Sequence, residues 1–126
     1  MKILLKSRYE MFCRQHIDKD MTENKCEEMI RDKNIYDDDN IHCKDTNTFI
    51  VDDPARVKRI CNGEGKTFGK NKITKSTNKF TIVKCELKIK GARKPNCTYN
   101  GRLLTYRYLE VDCENNLPVH FYRDTT

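Results

Sequence analysis

Three side chains able to move protons or offset charge stand far apart in this 126-residue chain: His16, Lys44 and His120. The chain has only three histidines, and imidazole, with an ordinary pKa of about 6.5, can both take and give a proton near neutrality. Lys44 lies in Cys43-Lys44-Asp45-Thr46-Asn47-Thr48-Phe49. There a cysteine can pin the segment, an ammonium can meet a phosphate, and Asn47 and Thr48 can hydrogen-bond a base. Each residue also has a plainer reading. A lone His16 on a helix reads as a satisfied core or surface histidine, and His42, beside Cys43, reads as an exposed loop residue.

The elements that must position these groups follow from periodicity and punctuation. Ser7 to Ile17 is predicted as a short helix with Tyr9, Phe12, Cys13 and His16 on one inward stripe. A second helix is predicted after Thr22 as N-cap, with Glu23 in its first turn, running through Cys26, Met29 and Ile30. Asp32 to Asn40, carrying Asp37-Asp38-Asp39, reads as an exposed loop. Thr46 to Val51 is β-prone and predicted as a strand, and Asp53-Pro54 reads as N-cap and N1 of a third helix ending near Ile60.

Between Cys61 and Phe80 the composition turns to Gly, Lys, Asn and Thr, predicting a flexible basic loop leading into a strand. Gly63, Gly65 and Gly69 lack the Gly-Lys-Ser/Thr ending and strand-to-helix setting of a phosphate loop. From Phe80 to Lys90, Val83, Cys85, Leu87 and Ile89 alternate with Lys84, Glu86 and Lys88. Leu103 to Cys113 alternates likewise and places Leu109, Val111 and Cys113 together. Two such strands imply an antiparallel sheet with one covered face. Gly91, Lys94-Pro95-Asn96 and Asn100-Gly101 are turn chemistry, and a final strand carries Val119, His120 and Phe121. The fold class predicted is α+β, three short helices around an antiparallel sheet.

Length and composition fit one domain over residues 1–126, with one modest core. At 37% hydrophobic and 35% charged residues with no Trp, burial alone leaves stability thin. Seven cysteines spread from Cys13 to Cys113, without CxxC pairs, predict a secreted disulfide framework rather than a metal site. The odd count leaves at least one cysteine without an intramolecular partner, and arithmetic does not choose the pairing. Asn96-Cys97-Thr98 is a formal glycosylation sequon with a cysteine at its centre. Met1 to Leu5 begins like a signal peptide, but Lys6-Ser7-Arg8 ends the apolar run after three residues. The start therefore reads as a mature chain with an added initiator Met. No stretch approaches membrane-spanning length. A formal charge of +6 and a pI near 8.9 favour polyanionic partners: RNA first, then heparan sulfate or an anionic bacterial surface.

Cys43-Lys44-x-x-Asn47-Thr48-Phe49 resembles the signature of the vertebrate secreted ribonucleases, the pancreatic ribonuclease and angiogenin superfamily. Arg14-Gln15-His16 resembles its first catalytic-histidine segment and Leu117-Pro118-Val119-His120-Phe121 its second. Three motifs in family order reverse the plain reading of His16. The resemblance implies a bent, kidney-shaped sheet, the bridges Cys26–Cys85, Cys43–Cys97 and Cys61–Cys113 of the angiogenin branch, and Cys13 as the spare thiol. In the matching family turn the peptide before proline, here Lys94–Pro95, is often cis.

It also implies a monomeric secreted endoribonuclease that cuts single-stranded RNA or tRNA after pyrimidines, needing neither metal nor cofactor. RNA brings its own nucleophile, the ribose 2′-hydroxyl, so the site must supply a base, an acid and a cation. The expected roles are His16 as base, His120 as acid and Lys44 as electrostatic stabiliser, giving a bell-shaped pH profile. Gln15 would orient phosphate, Asn47 fix the His16 neighbourhood, and Thr48 read the base with Phe121 packing nearby. Phe49 is expected in the core. Arg14 matches a secondary phosphate site and Glu114 a position near the downstream purine.

Departures from the family pattern are specific. Tyr122 stands where the family has an aspartate that orients the second histidine, so that partner is either missing or supplied elsewhere, with Asp124 the candidate. Lys84 replaces an aspartate that supports the base-reading threonine, and Met11 replaces a phosphate-contacting lysine. Arg31-Asp32-Lys33 stands near the angiogenin nuclear-targeting segment and is not an Arg triplet. These predict modest turnover and looser base choice. The alternative expectation is an angiogenic or bactericidal protein acting mainly through its cationic surface.

Overall fold

The computed structural model describes residues 2–69 and 73–126; Met1, read above as an initiator, lies outside them. The first helix, α1 (Lys2–His16), begins before the predicted Ser7, because Lys2 to Lys6 are themselves good helix formers. Ile17, predicted helical, instead bridges Ile50 in the sheet, tying the end of α1 to a strand. A 3₁₀ turn (Glu23–Lys25) leads into α2 (Cys26–Asp32), and Thr22 precedes it in extended conformation without a side-chain cap. In α3 (Pro54–Lys58) the Asp53 carboxylate accepts from the Ala55 N–H at 2.9 Å and Pro54 occupies the first turn.

Six strands follow: β1 (Thr46–Ile50), β2 (Gly65–Phe68), β3 (Ile73–Ser76), β4 (Phe80–Leu87), β5 (Tyr99–Glu114) and β6 (Leu117–Thr125). All pair antiparallel, in the order β1-β4-β5-β3-β2, with β6 also on β5. The long β5 is the spine. Its first half pairs with β4, and its second half is gripped between β3 and β6. Tyr106, at φ 57, marks the bend between the halves. The fold is therefore α+β as expected, three helices on a bent antiparallel sheet.

Three expectations need correction. The region from Cys61 to Phe80 contains the β2–β3 hairpin, with Thr67 paired to Thr74 and Phe68 to Ile73, around Lys70–Lys72, which lie outside the described residues. Gly65 is there because a Cβ would strike the Ile60 carbonyl oxygen and Thr74 Cγ2. Asn100-Gly101 is not a turn but runs within β5 opposite Glu86 and Cys85. At Gly101 a Cβ would strike the Glu23 carbonyl, so glycine lets the turn before α2 lie against the strand. Finally, the sheet is covered on both faces near its centre. Ile50 and Ile82 enter one cluster with Phe12, Val57, Leu109 and Val111, while Phe49 and Val83 enter another with Ile30, Ile35 and Tyr99.

Disulfides Cys26–Cys85, Cys43–Cys97 and Cys61–Cys113 close loops between positions 52 to 59 residues apart. In the chain-entropy picture such bridges stabilise by about 4 kcal/mol each. Cys43–Cys97 anchors the segment carrying Lys44. The Lys94–Pro95 peptide is cis. Cys13 is free and half-buried, and burial pushes its thiol up. Among the described residues no helix is long and apolar enough to cross a membrane.

Candidate active site

His16, Lys44 and His120 line a single cleft of about 470 Å³ together with Gln15, Thr48 and Phe121. The end of α1 supplies His16 and Gln15, the approach to β1 supplies Lys44, and β6 supplies His120. His16 is only 8% exposed, with the rings of Phe12 and Phe121 each 5.4 Å away. Its Nδ1 lies 2.9 Å from the Thr48 carbonyl oxygen. A carbonyl only accepts, so Nδ1 carries the proton and the Nε2 lone pair is left free. Burial, reinforced by the Lys44 charge, pushes His16 down to about 3, although the hydrogen bond to Thr48 favours the charged form. The ring is thus neutral through the physiological range.

Lys44 is positioned from two sides. Its Nζ donates to Asn47 Oδ1 at 2.9 Å, and Asn47 Nδ2 donates to the Gln15 carbonyl at 2.8 Å. Asn47, 1% exposed, therefore couples the lysine to the residue before His16. Tyr99 Oη donates to the Lys44 carbonyl at 2.7 Å. Sequence reading missed Tyr99, since nothing in its local pattern points to a segment 55 residues upstream. Burial pushes the Lys44 ammonium below the ordinary lysine value; Asp37 and Asp38 oppose that shift.

His120 is exposed, and its ring meets Tyr122 edge-on at 4.6 Å. Asp124 does not orient it. That carboxylate, its side chain 3% exposed, is bound by Arg107 at 2.8 Å and faces Lys84 at 3.7 Å. Residues Arg123 to Thr125 continue as strand against Tyr108 to Glu110, and Tyr122, Arg123 and Asp124 line the cleft. Phe121 packs against His16, and Phe49 is fully buried.

Gln15, Lys44 and His120 also border an adjoining groove whose other wall is Met11 and the acidic run Asp37-Asp38-Asp39. The run is exposed, as predicted, but it flanks the candidate site, and the preceding Ile35 is fully buried. Asp39 accepts the N–H groups of Ile41 and His42 at 2.9 Å each and pairs with the His42 ring, which shapes the turn. Arg14 and Glu114 are not among the residues lining the cleft. The Arg14 guanidinium donates to the carbonyls of Lys33 and Asn34, and Glu114 pairs with Arg8. No group of three or more His, Cys, Asp or Glu suited to a metal ion occurs among the described residues.

A family model described as pancreatic ribonuclease matches residues 7–122. Ribonuclease-like 3 of Danio rerio is 35% identical over 120 residues, covering 93% of this chain and 78% of that protein. Angiogenin of Mus musculus is 33% identical over 118 residues, covering 91% and 77%. The X-ray structure of zebrafish RNase5 superposes with a TM-score of 0.88 at 36% identity, covering 96% of this chain and 97% of that one. With its three bridges, its bent sheet and these likenesses across nearly its whole length, the chain belongs to the pancreatic ribonuclease family, on the fish and angiogenin-like side.

Proposed function

We propose that the protein is a secreted endoribonuclease that cleaves single-stranded RNA on the 3′ side of pyrimidines through a 2′,3′-cyclic phosphate. The observation that carries this reading is the meeting of one buried, neutral imidazole, one exposed imidazole and one ammonium in a single cleft. In the first step His16 Nε2 takes the 2′-hydroxyl proton, and O2′ forms a bond to phosphorus. The bond from phosphorus to O5′ breaks, and the departing oxygen takes a proton from His120. In the second step His120 takes a proton from water, the water oxygen bonds to phosphorus as the bond from phosphorus to O2′ breaks, and His16 returns its proton to the departing O2′. Lys44 offsets charge gathering on the phosphorane oxygens, Gln15 orients the phosphate, and Asn47 holds both in register. No metal is needed, because the nucleophile is already part of the substrate.

Thr48 is the natural base reader. Its backbone and hydroxyl offer a donor and an acceptor beside the histidines, and the hydroxyl can rotate to suit either pyrimidine. Arg14 and Glu114 would reach the more distant phosphate and the downstream purine only by leaving their present partners. Since the base must be unprotonated, activity rises as pH passes the His16 pKa. The acidic limb of the profile is therefore expected well below the ordinary imidazole range. Secretion is supported by three disulfides, which persist in oxidising compartments.

A second reading, angiogenic or antibacterial action through the cationic surface, draws support from a basic and aromatic patch away from the cleft. There Lys75 and Lys79 lie 5.1 and 5.2 Å from the Tyr108 ring. One experiment separates the two. His16→Ala and His120→Ala should each lower tRNA cleavage at least about a hundredfold with the circular dichroism spectrum preserved. Unchanged cleavage in either variant contradicts the mechanism. A biological effect that survives both substitutions but not neutralisation of Lys75 and Lys79 belongs to the surface.

A further inference from the structure

Away from the cleft, the connection between β4 and β5 carries a motif that the proposed chemistry does not use. Asn96-Cys97-Thr98 is the only Asn-x-Ser/Thr triplet in the chain, and its central residue is not proline. Asn96 is exposed just past the cis Lys94–Pro95 peptide, and its N–H closes a turn by donating to the Arg93 carbonyl at 2.8 Å. Thr98 is half-buried, its carbonyl accepts from the Lys88 N–H at 2.9 Å, and Cys97 is bridged to Cys43. The backbone is therefore held on both sides of an asparagine that stands in solvent. Asn96 also borders a groove of about 280 Å³ together with Pro95 and Ile89. The alternation along β4 predicts an inward Ile89, but the strand ends at Leu87. Ile89 is 65% exposed, more than any other large aliphatic side chain among the described residues. None of the three residues lines the catalytic cleft.

We propose that Asn96 is an N-glycosylation site and that the first sugar of its glycan packs over Ile89 and Pro95. The donor is a polyprenyl-diphosphate-linked oligosaccharide. Asn96 Nδ2 bonds to C1 of its first N-acetylglucosamine, the bond from C1 to the diphosphate oxygen breaks, the polyprenyl diphosphate departs, and the amide loses one proton. Because the folded backbone is pinned around the triplet, transfer belongs to the chain before Cys97 joins Cys43. The fold then has only to accommodate the product, and an exposed asparagine at a turn does so. Once the chain has folded, the sugar ring lays its C–H face on Ile89 and removes apolar surface from water, while its hydroxyl groups stay solvated. The inference rests on the secretion part of the proposed function, since such transfer occurs on the secretory route, and not on the chemistry of the cleft.

The test expresses the full chain behind a cleavable signal peptide in cultured vertebrate cells and weighs the secreted protein by mass spectrometry before and after peptide N-glycosidase F. A glycosylated form of the intact protein is expected, and the enzyme should strip it and convert Asn96 to aspartate. Asn96→Gln and Thr98→Val should each lack the glycan, whereas Thr98→Ser should keep it; Thr98→Val serves as the bare reference if Asn96→Gln does not fold. Packing is read from thermal unfolding. Protein trimmed to a single N-acetylglucosamine should melt about 3 °C above the bare reference, and Ile89→Ser should abolish that gain. Secreted intact protein with no enzyme-sensitive mass overturns the site, and a trimmed form no more stable than the bare one overturns the packing. Cleavage of tRNA by Asn96→Gln should match that of the intact protein. If neither cuts tRNA, the ribonuclease reading has failed, and the mass measurement still decides the site.

Discussion

The two cleft histidines are held in opposite ways. His16 ends a helix, is enclosed by Phe12 and Phe121, and donates an Nδ1–H hydrogen bond to the Thr48 carbonyl. His120 stands exposed on β6, with Tyr122 at its edge and Asp124 committed elsewhere. The difference is chemical as much as geometric. A proton acceptor benefits from a fixed tautomer and an environment that disfavours its charged form. A proton donor that must be reloaded benefits from contact with solvent. Burial on one side and exposure on the other suit two identical side chains to the two roles proposed for them, base and acid.

The sharpest way to break this contrast is chemical rescue. Free imidazole added to His120→Ala should recover cleavage at least tenfold, because solvent reaches the vacated position. His16→Ala should recover little, since its site is closed by aromatic rings. Equal rescue of both variants would mean that the difference in burial does not govern access. The second test is stability against pH. His16 is held at about 3 in the folded chain against 6.5 ordinarily, so between these values the unfolded chain binds a proton that the folded one refuses. Its contribution is full above pH 6.5 and is lost as pH falls toward 3, at about 1.4 kcal/mol per pH unit. Urea unfolding across that window should show the slope in the intact protein and in His120→Ala but a shallower one in His16→Ala. Parallel slopes in all three contradict the assignment. A smaller effect is expected at Asn47, which links the neighbourhoods of Lys44 and His16. Asn47→Ala should lower kcat on tRNA about ten- to a hundredfold by loosening both, and destabilise by roughly 1–3 kcal/mol. Normal kcat would show that the link is dispensable.

Much of this was legible in the sequence where pattern is strong. The alternation through Val83, Lys84, Cys85 and Glu86 gives β4, and Asp53-Pro54 gives α3 with its cap. The disulfide pairing came from family resemblance, because seven cysteines at these spacings fix no connectivity. Other features have no local signature. The β2–β3 hairpin hides behind glycines and lysines, since its pairing depends on partners across the sheet. Gly101 reads as a turn until a helix backbone is seen packed against it. Buried Ile35 in a polar loop, Tyr99 reaching Lys44 and Asp124 answering Arg107 all depend on contacts between distant segments. The exposure of the acidic run is legible in its composition, but its place beside Lys44 is not.

Phosphorus NMR of UpA digested by the intact protein in the presence of EDTA tests the central claim most directly. The account predicts that a uridine 2′,3′-cyclic phosphate resonance appears first and decays later into the 3′-phosphate. Adenosine 5′-phosphate as the product, or uridine 3′-phosphate with no cyclic precursor, would contradict it.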